Sequence, residues 1–268
     1  MRAVSFFAIL LIFGFMFSCR PVPKENINLE FNHIKQVSHL VFPGLGWIGV
    51  IENDTVKLHY FSQQNVWIPD QVQGFAIPKP NQGILGMGLG SIGVISSDTL
   101  HIYIQEMDGG WAMVPEYSFL LPQGYKRVFT LKDEWELAMI GLEFDEGRLE
   151  FYYFDIETGL WTLDETASFT LPRNVDSYFS LGNNTLAFTD GKTLGVYELQ
   201  PEGGWAFAEE LQLTLPENHK GVIPFEPSIV AVIKQGGEDG NLHFYQLDMK
   251  AKQWVTDASM TFKIPVVQ

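Results

Sequence analysis

The sequence predicts an all-β chain, a five-bladed β-propeller with four antiparallel strands per blade in a single domain, and three observations predict it. An aromatic and proline signature recurs five times at intervals of about 45 residues. Turn residues divide each copy into four short segments, and no stretch sustains a helical period.

The signature has several columns. Trp67, Trp111, Trp161, Trp205 and Trp254 are each followed eleven positions later by Pro78, Pro122, Pro172, Pro216 and Pro265. Three residues before each proline stand Phe75, Phe119, Phe169, Leu213 and Phe262. Eight or nine residues before each tryptophan stand His59, Tyr103, Tyr152, Tyr197 and Tyr245. Three before those are Val56, Leu100, Leu149, Leu194 and Leu242, and upstream an apolar run carries one small residue, Gly49, Gly93, Ala138, Ala187 and Ala231. Copies three and five are longer by insertions between the small column and the leucine column, which marks that place as a turn.

Each copy therefore reads as strands A to D. Strand A is Leu40 to Pro43 in copy one, Ile84 to Met87 in copy two and Val222 to Phe225 in copy five. Strand B is the apolar run, as in Ile48 to Ile51, and its lack of alternation fits a strand covered on both faces. Asn53-Asp54, Asp98, Asp190-Gly191 and Asp239-Gly240 suit tight hairpins before strand C. A second turn, as at Thr158-Gly159 and Gly203-Gly204, leads to strand D, which runs from tryptophan to proline. Stacked four-stranded repeats of this length describe propeller blades at about 36–78, 79–122, 123–172, 173–216 and 217–265, within residues 36–268. Repeat length and number resemble the five-bladed propeller lectins of the tachylectin type, a resemblance of architecture alone. Phe31 falls 44 positions before Phe75, so residues 27–34 are expected to add a strand that helps close the ring.

Composition narrows the partners. The chain has 46% hydrophobic and 18% charged residues, which excludes disorder, and a net charge of -15 repels phosphate backbones, so no nucleic acid is expected. One cysteine excludes an intrachain disulfide. Arg2 precedes an uncharged run from Ala3 to Phe17, too short for a stable membrane span and suited to an export signal over residues 1–18. Met16, Phe17, Ser18 and Cys19 resemble a bacterial lipobox, with Met16 where leucine and Phe17 where a small residue is usual. That resemblance implies lipid attachment at Cys19, a tether over residues 19–35 and the cell envelope as destination. Arg20, where aspartate would favour retention in the inner membrane, points to the outer membrane.

The remaining chemistry is sparse. Gly44, Gly46 and Gly49, and again Gly88, Gly90 and Gly93, spell the dinucleotide fingerprint, but strand B follows where a helix N-terminus should, so no cofactor is expected. The histidines lack ligand spacing, and no metal is expected. The tryptophan column reads as a wedge between sheets. Asp133, Glu134, Asp176 and Glu226 lie in or near strand A and would be the acids of a glycosidase built around the channel, the less favoured alternative to a non-catalytic protein. Trp47 and Trp135 stand outside the repeat, in A–B turns, and are the candidate contacts for a ligand or partner. They would either stack on a sugar or pack against a neighbouring loop. The leading expectation is an envelope lipoprotein whose propeller binds a protein or a glycan, with a carbohydrate-binding module as the first alternative.

Overall fold

The computed structural model describes residues 40–264 apart from 44–45, 63, 65, 71–73, 89, 107–108, 132–138, 173–174, 183, 227, 235–240 and 249. Five antiparallel sheets follow one another along the chain. Blade 1 holds β1 (Leu40–Val41), β2 (Trp47–Glu52), β3 (Thr55–Phe61), β4 (Trp67–Pro69) and β5 (Phe75–Ala76). Blade 2 holds β6 (Gly83–Gly88), β7 (Ser91–Ser96), β8 (Thr99–Gln105), β9 (Trp111–Met113) and β10 (Phe119–Leu120). Blade 3 has β11 (Arg127–Leu131), β12 (Met139–Glu143), β13 (Arg148–Asp155) and β14 (Leu160–Thr170). Blade 4 has β15 (Ser177–Gly182), β16 (Thr185–Thr189), β17 (Thr193–Leu199), β18 (Trp205–Phe207) and β19 (Leu213–Thr214). Blade 5 has β20 (His219–Glu226), β21 (Ile229–Lys234), β22 (Asn241–Asp248) and β23 (Gln253–Lys263).

Every blade is thus four strands deep, with strand D in two pieces in blades 1, 2 and 4, both paired to strand C. In blades 2 and 4 a single 3-10 turn, Pro115–Tyr117 or Glu209–Leu211, interrupts it. In blades 3 and 5 strand D runs unbroken and bulges opposite Leu149–Phe151 and Leu242–Phe244 of strand C, which takes up its extra residues. Strand B is buried on both faces, as its composition requires. Its small residue is a packing necessity: a Cβ at Gly93 would come within 2.7 Å of Leu100, and one at Gly141 would overlap the Phe129 ring.

Gly141 corrects the sequence alignment. It pairs with Phe129 and Phe151 as Gly93 pairs with Leu85 and Ile102, so it, and not Ala138, occupies the small column of blade 3. The extra residues of that copy fall mostly between strands A and B.

The other columns meet across blade boundaries. Phe75 packs edge-on against Tyr103, with ring centroids 5.3 Å apart; Phe119 meets Tyr152 at 5.0 Å and Phe169 meets Tyr197 at 4.9 Å. Each tryptophan sits beside that pair, 5.2 Å from Phe75 for Trp111 and 5.6 Å from Phe119 for Trp161. The indole N–H groups donate to strand D of the preceding blade: Trp161 to Tyr117 O at 3.0 Å, Trp205 to Ala167 O at 2.6 Å and Trp254 to Leu211 O at 2.9 Å. All three acceptors lie six residues after the tryptophan of their own blade. The Trp column is therefore the interblade wedge that its recurrence implied.

The same contacts close the circle. Trp67 of blade 1 lies against Phe225, Phe244 and Phe262 of blade 5, and His59 meets Phe262 at 5.9 Å. Among the described residues each blade is built from consecutive strands, and aromatic packing joins the last blade to the first. The expected strand at 27–34 lies outside the described residues.

Candidate functional site

A repeat sets its own standard, so the informative residues are those that break a column. The D–A and B–C turns share one end of the propeller, where strand A begins and strand B finishes. There, two positions before the strand A partner of the small residue, the cross-strand pair is Gly83 with Ile95 in blade 2 and Gly221 with Ile233 in blade 5, where His219 pairs with Lys234 one rung further out. In blade 3 the pair is Arg127 with Glu143, and in blade 4 it is Ser177 with Thr189. The next residue of strand A faces the preceding blade and is Leu40, Ile84, Val128 and Val222 in four blades but Tyr178 in blade 4. These columns thus carry an arginine, a glutamate and a tyrosine at the boundary between blades 3 and 4, where the other described residues are glycine or serine, isoleucine or threonine, and an aliphatic side chain.

The three side chains meet. The Arg127 guanidinium lies over the Tyr178 ring, 4.2 Å from its centroid, and one of its Nη groups donates to the Tyr178 carbonyl at 3.4 Å. The Tyr178 hydroxyl donates to Glu143 Oε2 at 2.6 Å. Tyr178 is 3% exposed and packs edge-on against Phe129 at 5.1 Å, so it forms the floor, while Arg127 and Glu143 remain partly open to solvent. On the rim, Lys126 pairs with Asp145 at 2.8 Å. Their hydrogen bond and mutual charge raise the Lys126 pKa and lower that of Asp145. Beside them Arg148 covers the Phe144 ring at 4.5 Å and pairs with Glu150, whose other oxygen accepts from the Tyr152 hydroxyl at 2.9 Å. Burial raises the Tyr152 pKa. The corner offers a fixed guanidinium donor and a carboxylate acceptor above an aromatic floor.

Sequence reasoning placed the contacts elsewhere. Trp47 is the first residue of β2, not part of a turn, and at 2% exposure it is sealed in the core, edge-on to Tyr60 at 5.9 Å. An indole so enclosed has no face to lend a ligand, which corrects its reading as a contact residue. Trp135 and Cys19 lie outside the described residues, as do Asp133 and Glu134. Glu226 ends β20, with its side chain outside the description, and Asp176 is exposed just before β15. The fingerprint glycines serve the A–B turns: Gly46, Gly88 and Gly90 have φ of 76°, 80° and 70°, and strands follow them. His101 bonds Ser118 Oγ at 3.4 Å and His219 bonds Pro216 O at 2.8 Å. Among the described residues no three His, Cys, Asp or Glu side chains come together as a metal site.

No family model matches the sequence, and no curated protein matches it. Solved structures that resemble it include the six-bladed β-propeller lectin of Aleuria aurantia, described with a novel fucose recognition mode, at 14% identity over 82% of this chain and 73% of that one, TM-score 0.45. The SapL1 lectin in complex with α-methyl fucoside matches at 14% identity over 81% and 77%, TM-score 0.42. A proposed 6-phosphogluconolactonase from Bacteroides fragilis matches at 8% over 83% and 69%, TM-score 0.41. Likeness at this level is one of propeller architecture; the count of five blades rests on the sheets of this chain.

Proposed function

We propose that this chain is a non-catalytic binding propeller, exported and held at the envelope through Cys19, that takes a glycan or an envelope protein at the boundary of blades 3 and 4. One observation carries the reading: the Arg127–Glu143–Tyr178 corner replaces the glycine, isoleucine and aliphatic residues with which the same frame is built in blades 2 and 5. Blades 2 and 5 are built without charge at this position, which supports recognition as the use of the three polar groups gathered in one corner. The lipobox-like residues Met16 to Cys19 support the address.

Two experiments test it. The immobilised protein, exposed to envelope extract, should retain a component that is lost with Arg127→Ser and kept with Leu160→Ser, a change in an exposed residue of the opposite, C–D end. Equal retention by both variants would remove the site from the proposal. Cys19→Ala should release the protein from the membrane fraction; continued membrane association would count against the anchor.

A further inference from the structure

We infer that the propeller stands on an anionic lipid surface with its D–A and B–C end toward the bilayer and its C–D end away from it, an inference that rests on reading the chain as anchored through Cys19. The charges are segregated between the two ends. Of the eleven described lysines and arginines, nine stand in the half nearest the D–A and B–C turns; Lys250 and Lys252, in the C–D turn of blade 5, are the exceptions. About as many described acids share that half, and pairs such as Lys57–Glu52, Lys79–Asp54 and Lys126–Asp145 cancel charge there. The C–D end is otherwise acidic. Glu106, Asp155, Glu157, Glu198, Glu202 and Asp248 lie in its turns or at the close of the strands that lead into them, in blades 2 to 5. Among the described residues the net negative charge is thus concentrated at one end, and the other is close to balanced.

The chain also enters at the balanced end, because Leu40 opens strand A there. The stretch from Cys19 to residue 39 is 21 residues, which span about 70 Å when fully extended, so either end could reach the membrane and charge decides between them. An anionic leaflet attracts cations and repels acids within about one Debye length, about 8 Å at physiological ionic strength. Strands of six to eight residues make the propeller about 20 to 26 Å deep. With the balanced end down, the acidic turns lie beyond the reach of that field; with the C–D end down, they enter it together. Lys220 near the start of β20 and Lys234 at the end of β21 add two cations on the side of blade 5 that faces the lipid. The corner between blades 3 and 4 lies on the same end, so this orientation turns it toward molecules held in or on the same bilayer.

The test uses the chain from Cys19 onward, with its single thiol coupled to maleimide lipid in vesicles of phosphatidylcholine and about one-quarter phosphatidylglycerol that also carry an acceptor-labelled lipid. A donor dye is attached to an azide-bearing residue introduced in place of Lys220 or of Glu202, both exposed and at opposite ends. Energy transfer from position 220 should exceed that from position 202 by about twofold or more, given the depth of the blades. The excess should fall away in about 1 M salt, where the Debye length is about 3 Å, and on vesicles of phosphatidylcholine alone. Glu106→Lys together with Glu157→Lys, both exposed, should narrow it on the anionic vesicles. Equal transfer from the two positions on anionic vesicles, or more from position 202, would overturn the inference. An excess that neither salt, nor neutral lipid, nor the two lysines change would show that the point of attachment and not charge sets the orientation, and would overturn it as well. Because the thiol is coupled chemically, these outcomes are separate from the Cys19→Ala fractionation, which tests the anchor itself.

Discussion

Replacing Trp161 by alanine tests the interblade wedge at its most measurable point. The indole packs 5.6 Å from Phe119 in the preceding blade and 5.5 Å from Phe154 in its own, and its N–H donates to Tyr117 O at 3.0 Å. Truncating a large aromatic in such a setting costs about 3 to 5 kcal/mol, and the lost hydrogen bond accounts for about 1 kcal/mol of it. At this chain length that corresponds to a fall in Tm of roughly 6 to 20 °C. Trp161→Phe keeps most of the ring and removes the donor, so it should cost only about 1 to 2 kcal/mol. Urea unfolding followed by far-UV circular dichroism gives both values, with an unchanged slope against urea as the check that the unfolded state is the same. A double-mutant cycle with Phe119→Leu should return a coupling of about 0.5 to 1.5 kcal/mol across the boundary. If Trp161→Ala lies within about 1 kcal/mol of wild type, or the coupling vanishes, the tryptophan column is not what holds blade to blade.

Three further outcomes follow from the geometry. Gly141→Ala drives a methyl group into the Phe129 ring and should cost about 1 to 3 kcal/mol in the same unfolding assay; a neutral result would contradict the register of strand B in blade 3. Ser228 turns from strand A to strand B at φ 60°, so Ser228→Gly should leave stability unchanged or raise it by up to about 1 kcal/mol, and a loss would mean the hydroxyl matters more than the backbone. Burial, and secondarily Lys234, lowers the His243 pKa, so the folded chain prefers the neutral ring and the unfolded chain binds the extra proton. That contribution is complete above about pH 6.5 and shrinks as the pH falls below it; His243→Gln should therefore show a shallower loss of stability between pH 7.5 and 5.5 than wild type, and equal slopes would refute the assignment.

The frame was legible because its contacts come in pairs. A Trp or Phe column marks one half of an interblade contact and the Tyr column the other, and five copies of both leave little room for another fold. Trp47 was misread because a residue next to a turn in sequence can still be the first rung of a strand, and its burial depends on Tyr60 across the hairpin. The corner was hidden by one slip of alignment. With Ala138 taken as the small residue, Glu143 falls five places beyond it, in a turn, where an acid draws no notice. With Gly141 in that column, Glu143 stands opposite Arg127 and matches Ile95 and Ile233. Tyr178 gave no warning either, since an aromatic in an apolar strand is ordinary until its neighbours across the boundary are known.

Closure by packing has a consequence for assembly. The surface of Trp67 and His59 packs on Phe262 of the last sheet, so it finds that mate only when the last sheet arrives. During synthesis the first sheet waits with an open aromatic flank while three others are made, the period when a chaperone would be of most use. The symmetry of the seam also makes the starting point arbitrary: a circular permutant opened at the loop after Pro122, with residue 264 linked to residue 40, should assemble into the same ring.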